Sequence, residues 1–163
     1  MKQITRVSKN CLHLIEAFEC GGDFRKHLTA YKCPAGIWTI GMGTTRYPDR
    51  RLVMPGDRIT EMQAYEYLTY DLAAAESAVS GAVIPEISQH QFDALVSFTY
   101  NLGSLAFRHS SLLKMINANP ADPGIHGQFM RWVNARGKPL QGLIRRRQSE
   151  SWLYFHGELK YHF

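Results

Sequence analysis

Cysteine is scarce in this chain: Cys11, Cys20 and Cys33 are the three among 163 residues, an odd number, all early and without Cys-x-x-Cys spacing. That argues against a disulfide framework and a thiolate zinc site, and free thiols suit a reducing compartment. Long hydrophobic runs are missing too. No stretch reaches the roughly 20 apolar residues of a membrane span. Met1 to Asn10 is polar and basic and lacks the apolar centre of an export signal, so synthesis in a cytoplasm without a signal of its own is expected. There is no internal repeat and no low-complexity tract. The seven histidines show no ligand spacing, so no metal or other cofactor is expected, and His90 and His109 read as surface or capping groups.

What is present is apolar content and basic charge. With 45% hydrophobic residues, 163 residues can bury one sizeable core or two small lobes sharing a helix. Nineteen basic against 14 acidic residues give +5. A positive field speeds encounter with any polyanion, and nucleic acid, an anionic membrane surface and a bacterial wall all qualify, so charge selects no partner. The run Arg145-Arg146-Arg147 reads as a phosphate patch or, more commonly for such runs, as a partly solvated helix face with one arginine paired to a carboxylate.

Periodicity predicts mostly helices. Val7, Cys11, Leu14, Ile15 and Phe18 form one apolar face. Thr60 and Gln63 form a capping box, and Tyr67, Leu68, Leu72, Ala75 and Val79 continue as a long stripe, the natural bridge between two lobes. Ser88 and Gln91 form a second capping box for a helix running to about Leu102 and stopped by Gly103. Its buried face carries Phe92, Leu95, Val96 and Thr99, with Phe98 and Leu102 beside it. Shorter helices are expected over 110–117, 125–134 and 143–154. Ala30-Tyr31 and 37–40 read as strands of a hairpin turning at Cys33-Pro34-Ala35-Gly36, and Leu52-Val53-Met54 as a third strand after a turn at 47–51. The expected fold is α+β within one domain. An N-terminal lobe over 1–59 carries a three-stranded sheet, a helix over 60–80 bridges, and a helical lobe occupies 81–163, with a binding cleft between the lobes.

Glu19 ends the first apolar stripe. A carboxyl group against an apolar face has its charged form disfavoured and its pKa raised, as a general acid at neutral pH requires. Glu16 and Asp23 are the alternative acids nearby. The hairpin presents Cys33 and Thr39, and Glu19 is expected to face them.

These residues carry a resemblance. Phe18-Glu19, then Ala30-Tyr31-Lys32-Cys33-Pro34-Ala35-Gly36-Ile37-Trp38-Thr39-Ile40-Gly41-Met42-Gly43, the block from Ser88 to Gly103, Phe129-Met130-Arg131-Trp132 and the run from Leu140 to Glu150 resemble, in order, the bacteriophage-type lysozymes, the endolysins of glycoside hydrolase family 24. The family pattern is Glu, eight residues, Asp or Cys, five residues, Thr. Cys33 and Thr39 keep the second interval, whereas fourteen positions separate Glu19 from Cys33 where the pattern has nine, so some five residues around 20–24 look inserted. A polar, glycine-containing insertion can bulge while its ends stay in place.

The resemblance implies a lysozyme-like fold and hydrolysis of the β-1,4 bond between N-acetylmuramic acid and N-acetylglucosamine in peptidoglycan, for host-cell lysis by a phage. Glu19 is then the acid. Cys33 stands where many members have Asp and can serve as base, nucleophile or spacer, while Thr39 positions the attacking water. Asn101 and Arg145 match positions lining or bracing the cleft. Trp38 and Trp132 stack on sugar rings or belong to the core. Thr44 stands where many relatives carry His. The implied partner is peptidoglycan, with no nucleic acid, no stable membrane insertion and a monomeric state. The enzyme would wait in the host cytoplasm and reach the wall through lesions made by a separate holin. Alternatives remain: a lytic transglycosylase on the same bond, needing one carboxylic acid and no activated water, and a basic, non-catalytic module binding cell wall or nucleic acid. A thiol peptidase using Cys33 is a further one, although no His stands in a recognisable arrangement with it.

Overall fold

The structure, a computed structural model, describes residues 4–19, 23–33 and 35–161. Its helices are α1 (Lys9–Glu19), α2 (Glu61–Ala82), α3 (Gln89–Leu102), α4 (Ser104–Arg108), α5 (Ser111–Ala118), α6 (Ile125–Met130) and α7 (Gln141–His156), and its strands are β1 (Tyr31–Lys32), β2 (Trp38–Thr39), β3 (Asn134–Ala135) and β4 (Lys138–Pro139). A short 3-10 helix, Phe24–His27, precedes β1. The chain is α+β and mainly helical, as expected. It divides into two compact units: one holds Ile15–Ala73, the other the residues through Leu14 together with everything from Ala74 onward.

The smaller unit is built around Ile40, Tyr47 and Val53, with Ala30, Trp38, Ile59 and Tyr67 packed against them. Its sheet has two strands, β1 antiparallel to β2, with Tyr31 opposite Thr39 and Lys32 opposite Trp38. The expected third strand is reduced to a single bridge between Arg46 and Leu52. The reason lies in Asp57, whose carboxylate accepts from the Met54 amide at 3.0 Å, the Tyr47 hydroxyl at 2.9 Å and Arg51 at 3.0 Å, and so curls 54–57 into a turn. Gly41, at φ +59, lets the chain pass α2 closely: a Cβ there would stand 3.1 Å from Ile59 Cδ1 and 3.3 Å from Ala64 Cβ.

The larger unit centres on α3. Both predicted capping boxes are present: Thr60 Oγ1 accepts from the Gln63 amide at 3.1 Å, and Gln63 Oε1 accepts from the Thr60 amide at 2.9 Å. Ser88 and Gln91 do the same for α3. All residues 92–99 of α3 are buried, including Phe98, because α7 and α4 pack against the helix and Phe129 of α6 reaches Phe98. Phe98 meets Phe107, Phe129 and Trp132 edge to face, at 6.4, 5.5 and 5.8 Å between centroids. The expected helix over 125–134 stops at Met130. A hairpin, β3–β4, follows, turning through Arg136 (φ +52) and Gly137 (φ +77).

Candidate active site

Thr39 is the buried end of a two-residue strand, and Cys33 is the first residue beyond β1. The turn between them closes through Gly36, whose amide donates to the Cys33 carbonyl at 2.8 Å with φ +78, while the Cys33 amide donates to the Ile37 carbonyl at 3.0 Å. The backbone N–H groups of Ile37 and Ala35, in that order, and the Thr39 hydroxyl hold the Cys33 thiol below the usual thiol range, since each stabilises the thiolate. The Thr39 hydroxyl has one proton. It donates to the Ile37 carbonyl at 3.0 Å. The hairpin thus brings Cys33 and Thr39 together as expected.

Glu19 is the last residue of α1, in the same compact unit as Cys33 and Thr39. Contrary to expectation it is exposed, because the apolar stripe fades at half-buried Phe18, one position earlier. Of the alternative acids, Glu16 accepts from the Tyr65 hydroxyl at 3.0 Å and Asp23 pairs with Lys26 at 3.6 Å. Cys20 and the glycines after it lie outside the described residues, as does Pro34. Cys11 is buried in α1, and burial pushes its thiol well above the usual range, with Asp93 nearby adding to the effect. It is structural. Thr44 is also buried, and its hydroxyl donates to Asp71 at 3.0 Å.

The candidate binding residues have more bracing than sequence alone suggested. Trp38 is half-buried against the small core, with Lys32 Nζ 5.5 Å from its ring centroid. Asn101 and Arg145 lie in α3 and α7, two helices packed on each other. Asn101 Oδ1 accepts from Arg147 at 2.7 Å, while Arg145 is exposed. The arginine run pairs two members, not one: Arg146 at 3.2 Å and Arg147 at 3.0 Å both meet Glu150, buried, and Ser97 donates to Glu150 at 2.8 Å. Spacing held the signal, because Glu150 follows Arg146 by four and Arg147 by three along one helix. His90 caps α7, with Nδ1 3.0 Å from the Tyr154 carbonyl.

A family model described as phage lysozyme matches residues 24–150. The endolysin of Acyrthosiphon pisum secondary endosymbiont phage 1 is 36% identical over 152 residues, covering 91% of this chain and 97% of its own. Among solved structures, the endolysin from Escherichia coli O157:H7 phage FAHEc1 superposes with a TM-score of 0.84 at 36% identity, over 95% of this chain and 96% of that one. A mutant P22 lysozyme gives 0.80 at 31% identity, over 93% and 99%.

Proposed function

This chain belongs to the phage lysozyme family and is a peptidoglycan hydrolase of host-cell lysis, and from that premise we propose how its own residues cut the β-1,4 bond between N-acetylmuramic acid and N-acetylglucosamine. Glu19 gives its proton to the bridging oxygen as the bond to the anomeric carbon breaks. A glycan lying over the exposed end of α1 displaces water, so that desolvation of the acid comes with the substrate. A water held by the Thr39 hydroxyl attacks the anomeric carbon. Its proton passes to Cys33, whose lowered pKa makes the thiolate accessible.

The observation that supports this reading is the hairpin that follows Glu19, which carries Cys33 at its turn, with the thiol held below the usual range, and Thr39 on its second strand. Trp38 offers its solvent-facing side to a sugar ring. Asn101, its oxygen held by Arg147, keeps its N–H groups to donate, and Arg145 supplies an exposed cation. The protein acts as a monomer without nucleic acid. No helix among the described residues is long and apolar enough to cross a membrane, and we place the enzyme in the host cytoplasm until holin lesions admit it to the wall.

Glu19→Gln should abolish clearing of permeabilised cells while circular dichroism stays unchanged; lysis near the wild-type rate would remove Glu19 from the mechanism. A thiol in place of a second carboxylate also favours a second reading, the lytic transglycosylase, in which the muramic acid 6-hydroxyl attacks internally. Mass spectrometry of digested sacculi separates the two: reducing ends mean hydrolysis, and 1,6-anhydro ends mean transglycosylation.

A further inference from the structure

Thirteen residues separate Glu19 from Cys33, and the family match begins only at Phe24. A connection of that length leaves the α1 terminus to be placed by contacts within the fold. One cluster within the smaller unit supplies them. Tyr65, half-buried on α2, donates its hydroxyl to Glu16 Oε2 at 3.0 Å, one helical turn before Glu19. The same ring receives Phe24 edge to face at 5.2 Å, and Phe24, the first residue of the 3-10 helix, is wholly buried. Arg25 and Glu61 close the cluster at 2.9 Å, but both are exposed, and such pairs contribute little.

Tyr65 therefore touches both sides of the long connection. Its hydroxyl holds α1 through Glu16, and its ring holds the segment that re-enters the fold at Phe24. Residues three apart on a helix share a face, so fixing the Glu16 carboxylate fixes the rotation of the last turn of α1 and with it the direction in which Glu19 leaves the helix. A rotation there swings a carboxyl group at the end of a flexible stem by an ångström or more, and misplacement of about 1 Å can cost on the order of a hundredfold in rate. We infer that Tyr65 and Glu16 are positioning residues for the general acid, holding the end of α1 against α2 so that Glu19 keeps its place. The inference rests on Glu19 being that acid.

The alternative is a contact that only adds stability. That role would lower the melting temperature and leave turnover per folded molecule intact, whereas positioning lowers kcat with little change in KM. Initial rates on dye-labelled sacculi, below the melting temperature of every variant, separate the two. Tyr65→Phe keeps the ring against Phe24 and removes only the hydroxyl, so it should lower kcat about tenfold, with KM within about twofold of wild type. Glu16→Ala should match it. Glu16→Gln retains an acceptor oxygen for the tyrosine and should recover most of the rate lost in Glu16→Ala. The double variant Tyr65→Phe/Glu16→Ala should be no slower than either single, because one hydrogen bond is being removed. Wild-type kcat in both Tyr65→Phe and Glu16→Ala, alongside an inactive Glu19→Gln, would overturn the positioning role while leaving the acid in place. A lytic Glu19→Gln would remove the premise, and the proposal with it.

Discussion

At the scale of single residues, the two described cysteines differ in environment. Cys33 is surrounded by donors and Cys11 by apolar side chains and carboxylates. Iodoacetamide should alkylate Cys33 in the native protein with a pH midpoint below the roughly 8.5 of a free thiol, and should leave Cys11 untouched until the protein unfolds. Peptide mass mapping across a pH series reads both sites, and equal rates at the two would refute the assigned environments. Glu150 is a buried acid of the larger unit, paired with both Arg146 and Arg147. Glu150→Ala strands two buried guanidinium groups and should cost about 3–5 kcal/mol, measured by urea unfolding. Asp71 has the opposite character. Burial raises its carboxyl above the usual range, and the Thr44 hydroxyl offsets only part of that. Such a group contributes fully below its unfolded pKa of about 4, and the contribution is lost as pH rises through the higher folded value. Asp71→Asn, which still accepts from Thr44, should therefore melt above wild type at pH 7, with the gap closing below about pH 4.

At the scale of elements, Ser88 does for α3 what no neighbour can, since its hydroxyl serves the Gln91 amide at 3.3 Å while Gln91 answers at 2.9 Å. Ser88→Ala should lower stability by about 1 kcal/mol, visible as a shifted urea midpoint at constant slope. Elements of this kind were legible in sequence. The apolar stripe of α1, the paired caps of α2 and α3, the stop at Gly103 and the turn before Trp38 all follow from short-range chemistry, and the hairpin delivered Cys33 and Thr39 as a pair. What was not legible depends on distant partners. The 3-10 helix at Phe24 is held by Tyr65, forty-one positions away. The β3–β4 turn places an arginine at positive φ, where asparagine or aspartate would have given the signal. The exposure of Glu19 could not be read from a stripe that simply ran up to it, and the burial of both Arg146 and Arg147 required Glu150 to lie inside the unit.

At the scale of the whole molecule, the quantity that matters is a charge of +5 on an enzyme whose substrate carries free carboxylates along its peptide stems. Long-range attraction acts on encounter and on the population of bound enzyme, not on bond cleavage once the sugar is seated. It is screened over about 10 Å at 0.1 M salt and about 3 Å at 1 M. Added sodium chloride should therefore raise KM for sacculi severalfold between low and near-molar concentration and leave kcat within about twofold, because the proton donor and the hairpin thiol work at contact distance. Amidating the stem carboxylates should flatten that salt dependence. If kcat instead fell with salt while KM held, the charge would be acting on the folded state or on the chemical step, and the field of the molecule would have no part in bringing enzyme and wall together.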